Sequence, residues 1–189
     1  MKIETLNDKL SVSDWHLILK KTTSFLLEIL AFPSLPGKEE PLQKFIYEAF
    51  KELSVGKTEL VPLTEEIKND PEYSKPMKPL NYREKHNVLL TIGKGNGKSL
   101  ILNAHSDVVP GKEWERAFSP VCVKNRIYGR GAVDCKGQIA VIYAILLAMK
   151  ALGWEPKGKI FVEIVVEEEI GGNGTLALVR EGPRADSVI

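Results

Sequence analysis

Residues 136–172 read KGQIAVIYAILLAMKALGWEPKGKIFVEIVVEEEIGG, and their two halves follow different periodicities. From about Lys136 to Leu152 apolar residues fill a long helical stretch. Lys159 to Val166 alternates and then runs apolar, as a buried strand does, before three consecutive acids and two glycines. A long helix leading into a buried strand is the unit of an α/β sheet with parallel strands.

Working outward, Leu100–Ala104 and Asn87–Ile92 form strands, and Asp186–Ile189 begins another. Val121–Val123 and Arg126–Tyr128 make a hairpin turning at Lys124-Asn125, and Thr175–Arg180 is a short helix. Upstream, Ser13 caps a first helix ended by Pro33 and Pro36, and a second helix runs from about Glu39 to Leu53. Thr58–Leu63 is a short strand, and residues 64–85, with Pro71, Pro76 and Pro79, form a polar loop, the least structured stretch.

Gly93-Lys-Gly-Asn-Gly-Lys-Ser99 links two of these strands. It is similar to a phosphate-binding loop but leaves three residues, not four, between Gly93 and Gly97, and a strand follows where a helix is needed. A glycine hairpin turn is the expectation, with nucleotide binding ranked behind it.

Composition narrows the function classes. The 26 basic and 25 acidic residues give a net charge of +1, with no long-range pull toward nucleic acid or an anionic membrane. The longest apolar run, Ile139 to Met149, is well short of the roughly 20 residues a spanning helix needs. Met1 to Ser13 lacks the apolar core of a signal peptide, and Cys122 and Cys135 form no Cys-x-x-Cys pair. A cytoplasmic protein with reduced thiols is expected.

Three segments carry side chains suited to metal chemistry: Asn103–Pro110 with His105 and Asp107, Gly129–Gly137 with Asp134, and Glu167–Gly172 with three acids. Each follows a strand or precedes a helix, the edge where an open α/β sheet binds ligands. Asp107 can accept from one ring nitrogen of His105 and leave the other facing a metal. Asp134 can bridge two metals or simply cap a helix. Adjacent carboxylates at Glu167–Glu169 repel unless cations neutralise them or water solvates them. Two of the three can share a site, one as ligand and one as base. His16 and His86 read as structural.

In order and spacing, the three motifs resemble those of the zinc amidohydrolases that include acetylornithine deacetylase, succinyl-diaminopimelate desuccinylase, aminoacylase and carboxypeptidase G. The resemblance covers roughly residues 20–189. It implies a phosphorylase/hydrolase-like zinc exopeptidase fold, a mixed, largely parallel sheet flanked by helices. It also implies two divalent metal ions, Zn with Co or Mn as alternatives. His105 would bind one metal and Asp107 orient it. Asp134 would bridge both metals, with a cis peptide to Cys135, and Glu169 would bind the other. Glu168 would be the general base, and Cys135 a neighbour and not a ligand.

The implied reaction is hydrolysis of an amide in an N-acyl amino acid, or in a short peptide. Gly111–Trp114 and Phe118–Pro120 look most like the deacetylase and desuccinylase branch. The family carries further metal ligands and a lid domain that makes homodimers. Residues 1–189 are therefore expected to be the N-terminal portion of a catalytic domain, with weak metal affinity alone. An apolar face near Ile160–Val166 is expected to be poorly covered, so that the chain self-associates. A truncated, non-catalytic homologue is the competing expectation.

Overall fold

The computed structural model describes residues 9–189, so part of the stretch tested for a signal peptide, residues 1–8, lies outside the described residues. Helix α1 (Val12–Leu30) is capped by Ser11 and not by Ser13. Ser11 Oγ accepts the Asp14 N–H at 3.1 Å, and Asp14 Oδ2 accepts the Ser11 N–H at 2.9 Å. This reciprocal box needs an acid three residues after the cap, which Ser11 has and Ser13 lacks.

Helix α2 (Glu40–Leu53) and strand β1 (Lys57–Pro62) follow, then β2 (His86–Ile92) and β3 (Ser99–His105). The hairpin pairs β4 (Val121–Val123) with β5 (Arg126–Tyr128), turning through Lys124 and Asn125 with φ of 47° and 62°, the backbone of a type I′ turn. Helix α3 (Lys136–Leu152), β6 (Lys159–Val165), α4 (Asn173–Glu181) and β7 (Ser187–Val188) complete the chain.

The main sheet has the order β1-β2-β6-β3-β7 and is mixed. β3 runs parallel to β6 and β7, whereas β1–β2 and β2–β6 are antiparallel. Helices α1, α2 and α3 pack on the face that carries Val88, Leu90, Ile92, Ala104, Val162 and Ile164. In one row Leu90 and Leu102 both lie opposite Val162. Each fully buried aliphatic side chain there contributes about 1.5–3 kcal/mol.

Two expectations are corrected here. Residues 93–98 do not form a hairpin, because β6 is inserted between β2 and β3. The linker instead crosses the end of β6, and a Cβ on Gly95 would lie 1.8 Å from the Lys157 carbonyl oxygen. The glycines serve backbone-to-backbone approach, not a tight turn. Nor is β6 poorly covered: Phe161–Val166 are all buried, because β6 lies inside the sheet with neighbours on both edges.

The polar stretch 64–85 is also ordered by contacts its composition does not advertise. It contains a 3₁₀ turn over Glu65–Asn69, and Tyr82 is buried against Leu63 and Val166. Arg180 on α4 holds it from outside, donating to Asp70 at 2.7 and 3.0 Å. Among the described residues no helix is long and apolar enough to cross a membrane.

Candidate metal centre

Parallel pairing sets His105 opposite Val165, so the carboxyl ends of β3 and β6 open side by side. The chain leaving β3 is fastened at once. Ser106 N–H donates to the Val165 carbonyl at 2.9 Å, Ser34 Oγ donates to the Ser106 carbonyl at 2.7 Å, and Gln43 Nε2 donates to Ser106 Oγ at 3.0 Å. Ser106, Asp107 and Val108 are consequently fully buried.

His105 Nδ1 donates to the main-chain carbonyl of Asp107 at 3.0 Å, with the Asp107 carboxylate 3.4 Å away. Orientation of the ring thus comes first from the backbone of Asp107. Its carboxylate does something else: it accepts the N–H groups of Glu168 at 3.1 Å and Glu169 at 3.0 Å. One residue therefore fixes both the imidazole and the acidic turn.

With Nδ1 committed, Nε2 faces outward and lies 2.9 Å from Asp134 Oδ1 and 3.7 Å from Glu168 Oε2. Asp134 is not a helix cap: Cys135 occupies that position, without a capping side-chain bond, and the Asp134–Cys135 peptide is cis. The Asp134 side chain is about three-quarters exposed and free to bind. The turn that places it needs glycine at 137, where a Cβ would meet the Ala132 carbonyl oxygen at 2.3 Å.

The electrostatics test whether a cation fits. Burial alone favours a neutral His105, yet hydrogen bonds to Asp107, Cys135 and Asp134 outweigh it and raise the pKa to about 11. Glu169 is pushed up by burial and then by the charges of Asp134, Asp107 and Glu168, against the pull of His105. A neutral imidazole nitrogen and a carboxylate oxygen repel at this range unless a proton or a metal cation joins them. His105, Asp134 and Cys135 have ligand atoms all within 4.8 Å of one another. A donor set of one imidazole, one carboxylate and one thiol suits a divalent cation such as zinc.

Cys135, expected as a neighbour, lies in that cluster, but its sulfur accepts the His105 main-chain N–H at 3.4 Å. Beside Asp134 a shallow cavity of about 290 Å³ is walled by Trp114, Tyr128, Arg130 and Val133. The Arg130 guanidinium stacks over the Trp114 ring, 6.0 Å from its centroid.

Glu167, the first of the three acids, departs from the other two. It is fully buried and points away from His105. Its carboxylate is paired with Lys85 and accepts the Tyr82 hydroxyl at 2.8 Å. Lys85 lies also 3.6 Å from the buried Glu39, and His86, beside it, meets Glu40 at 3.0 Å. Sequence reasoning missed Lys85, Tyr82 and Glu39. The available signal was that an acid sent inward from a triplet needs a buried cation.

Residues 101–189 match the family described as peptidase family M20/M25/M40. A succinyl-diaminopimelate desuccinylase from Rhodopseudomonas palustris (strain BisA53) is 40% identical over 100 residues, 50% of this chain and 26% of that protein. An acetylornithine deacetylase from Vibrio parahaemolyticus is 38% identical over 89 residues, 45% of this chain and 22% of that protein. The chain thus spans about a quarter of the length of these relatives. The crystal structure of an M20 family metallo-carboxypeptidase from Sulfolobus solfataricus superposes with a TM-score of 0.69 at 24% identity, over 89% of this chain and 36% of that one.

Proposed function

We propose that this chain, whose residues 101–189 match the family described as peptidase family M20/M25/M40, contributes the site of a metal-dependent hydrolase that cleaves the amide of N-acyl amino acids. Residues 1–189 would be the N-terminal portion of the catalytic domain, with further metal ligands and a lid that forms homodimers supplied from outside this stretch. The observation that carries the reading is the meeting of His105 Nε2 with Asp134 at 2.9 Å and Glu168 at 3.7 Å, with Glu169 within reach of the same charges.

His105 and Glu169 would each hold one of two divalent ions, Zn or alternatively Co or Mn, and Asp134 would bridge them. Bound there, the ions would supply Lewis acidity and lower the pKa of water toward about 7. Asp107 holds the His105 ring so that Nε2 faces the site. Glu168, half exposed, takes a proton from the attacking water and returns it to the leaving amine. Trp114, Arg130 and Val133 line the space beside Asp134, where one side of the substrate would lie. The two unpaired cysteines support a cytoplasmic setting.

The deacylase reading rests on the desuccinylase and deacetylase relatives. A short-peptide exopeptidase is the second reading, favoured by the likeness to a metallo-carboxypeptidase. The zinc-loaded protein, together with the segments that supply the further metal ligands and the lid, is to be assayed on N-acetylornithine, N-succinyl-diaminopimelate and dipeptides, beside its Glu168→Gln variant. Turnover of an acylated substrate, lost in the variant with zinc retained, is expected. Full activity in Glu168→Gln would overturn the base assignment, and turnover of peptides alone would favour the second reading.

A further inference from the structure

The acidic turn starts from a backbone conformation that glutamate seldom adopts. Glu167 has φ of 64°, in the left-handed region that costs a side-chain-bearing residue of order 1 kcal/mol or more. A glycine would take this turn more easily, so the glutamate side chain has a use there. Turned inward, it meets Lys85, the Tyr82 hydroxyl at 2.8 Å and Asn173 Nδ2 at 3.5 Å. Asn173 is itself tied to Ser74, donating to its carbonyl at 2.9 Å and accepting its N–H at 3.1 Å. The Glu167 carbonyl accepts the Gly172 N–H at 2.8 Å and closes the turn.

The reversal at Glu167 sends the next two N–H groups, of Glu168 and Glu169, to the Asp107 carboxylate. The turn is thereby held at two ends, by Asp107 from β3 and by Lys85 from the segment before β2. A buried ion pair adds little stability over a well-packed apolar pair, so position is the better account of why one is kept. We infer that Lys85 and Glu167 are positioning residues: their buried pair sets the turn that aims Glu168 and Glu169 at His105 and Asp134. Neither touches the reacting atoms. The role rests on the hydrolytic reading above.

The test is amide hydrogen exchange, read residue by residue by NMR on the metal-free chain, for wild type, Lys85→Met and Glu167→Gln. A positioning role predicts that protection at the Glu168 and Glu169 amides falls at least tenfold more than at Val162 and Ile164 inside β6. An equal fall at all four sites would mean general destabilisation and would overturn it. If Lys85→Met does not fold, Glu167→Gln and Tyr82→Phe decide the matter by the same comparison. Zinc titration is the second arm, in which displacing an outer-shell support is expected to weaken binding about 10–100-fold. Unchanged zinc affinity in folded variants would overturn the positioning role alone. A wild-type chain that binds no zinc would overturn the hydrolytic reading, and with it the purpose assigned to the pair.

Discussion

The Asp107 carboxylate accepts the main-chain N–H of Glu169 at 3.0 Å, while the Asp107 carbonyl accepts a hydrogen bond from His105 Nδ1–H at 3.0 Å. The two halves of the candidate centre are thus joined through one buried residue, and neither moves without the other. Asp107→Asn keeps the carbonyl but turns an amide N–H toward one of two N–H donors. Charge-assisted bonds of this kind contribute about 1.5–3 kcal/mol. Asp107→Asn is expected to lower stability by about that much and zinc affinity at least tenfold, measured by urea unfolding and calorimetric titration.

Glu39 gives a pH signature away from the metal. Burial raises its pKa from 4.5 to about 7 against the attraction of Lys85. A carboxyl whose folded pKa is raised lends its stability in acid, in full below about 4.5, and loses it as pH climbs through about 7. The shift corresponds to about 3 kcal/mol. Between pH 4.5 and 7.5 wild type should therefore lose up to that amount relative to Glu39→Gln, in paired urea unfolding curves. Parallel pH profiles would refute it.

The linker before β3 separates fold from site. Gly95→Ala would push a Cβ into the Lys157 carbonyl, at 1.8 Å, whereas a free hairpin turn would absorb the methyl. Forced overpacking costs about 1–3 kcal/mol. The variant is expected to be less stable by that margin with zinc affinity unchanged, since the contact lies at the opposite end of β6 from Glu168.

How much of this was legible beforehand depends on whether a signal was local. Lys136–Leu152 is a helix over the span its apolar stretch implies, and the Lys124-Asn125 turn behaves as its residues suggest. The meeting of His105 and Asp134 was legible because strand ends and helix starts share one edge. Local signals failed where a distant segment decides. Gly93–Ser99 reads as a hairpin because nothing nearby reveals that β6 enters between its strands. Residues 64–85 read as loose because proline and charge dominate them, yet Tyr82 and Lys85 are drawn inside by Glu167, more than 80 residues away. For the same reason the triplet could be split into site and support only once Lys85 was located. The cap moved from Ser13 to Ser11 for a local reason, the acid at position 14.

The measurement that bears most directly on the account is calorimetric titration of zinc into the metal-free chain and into His105→Gln, with folding of both checked by circular dichroism. The account predicts saturable binding by wild type and affinity at least a hundredfold weaker in the variant. Equal zinc affinity in a folded His105→Gln chain would contradict it.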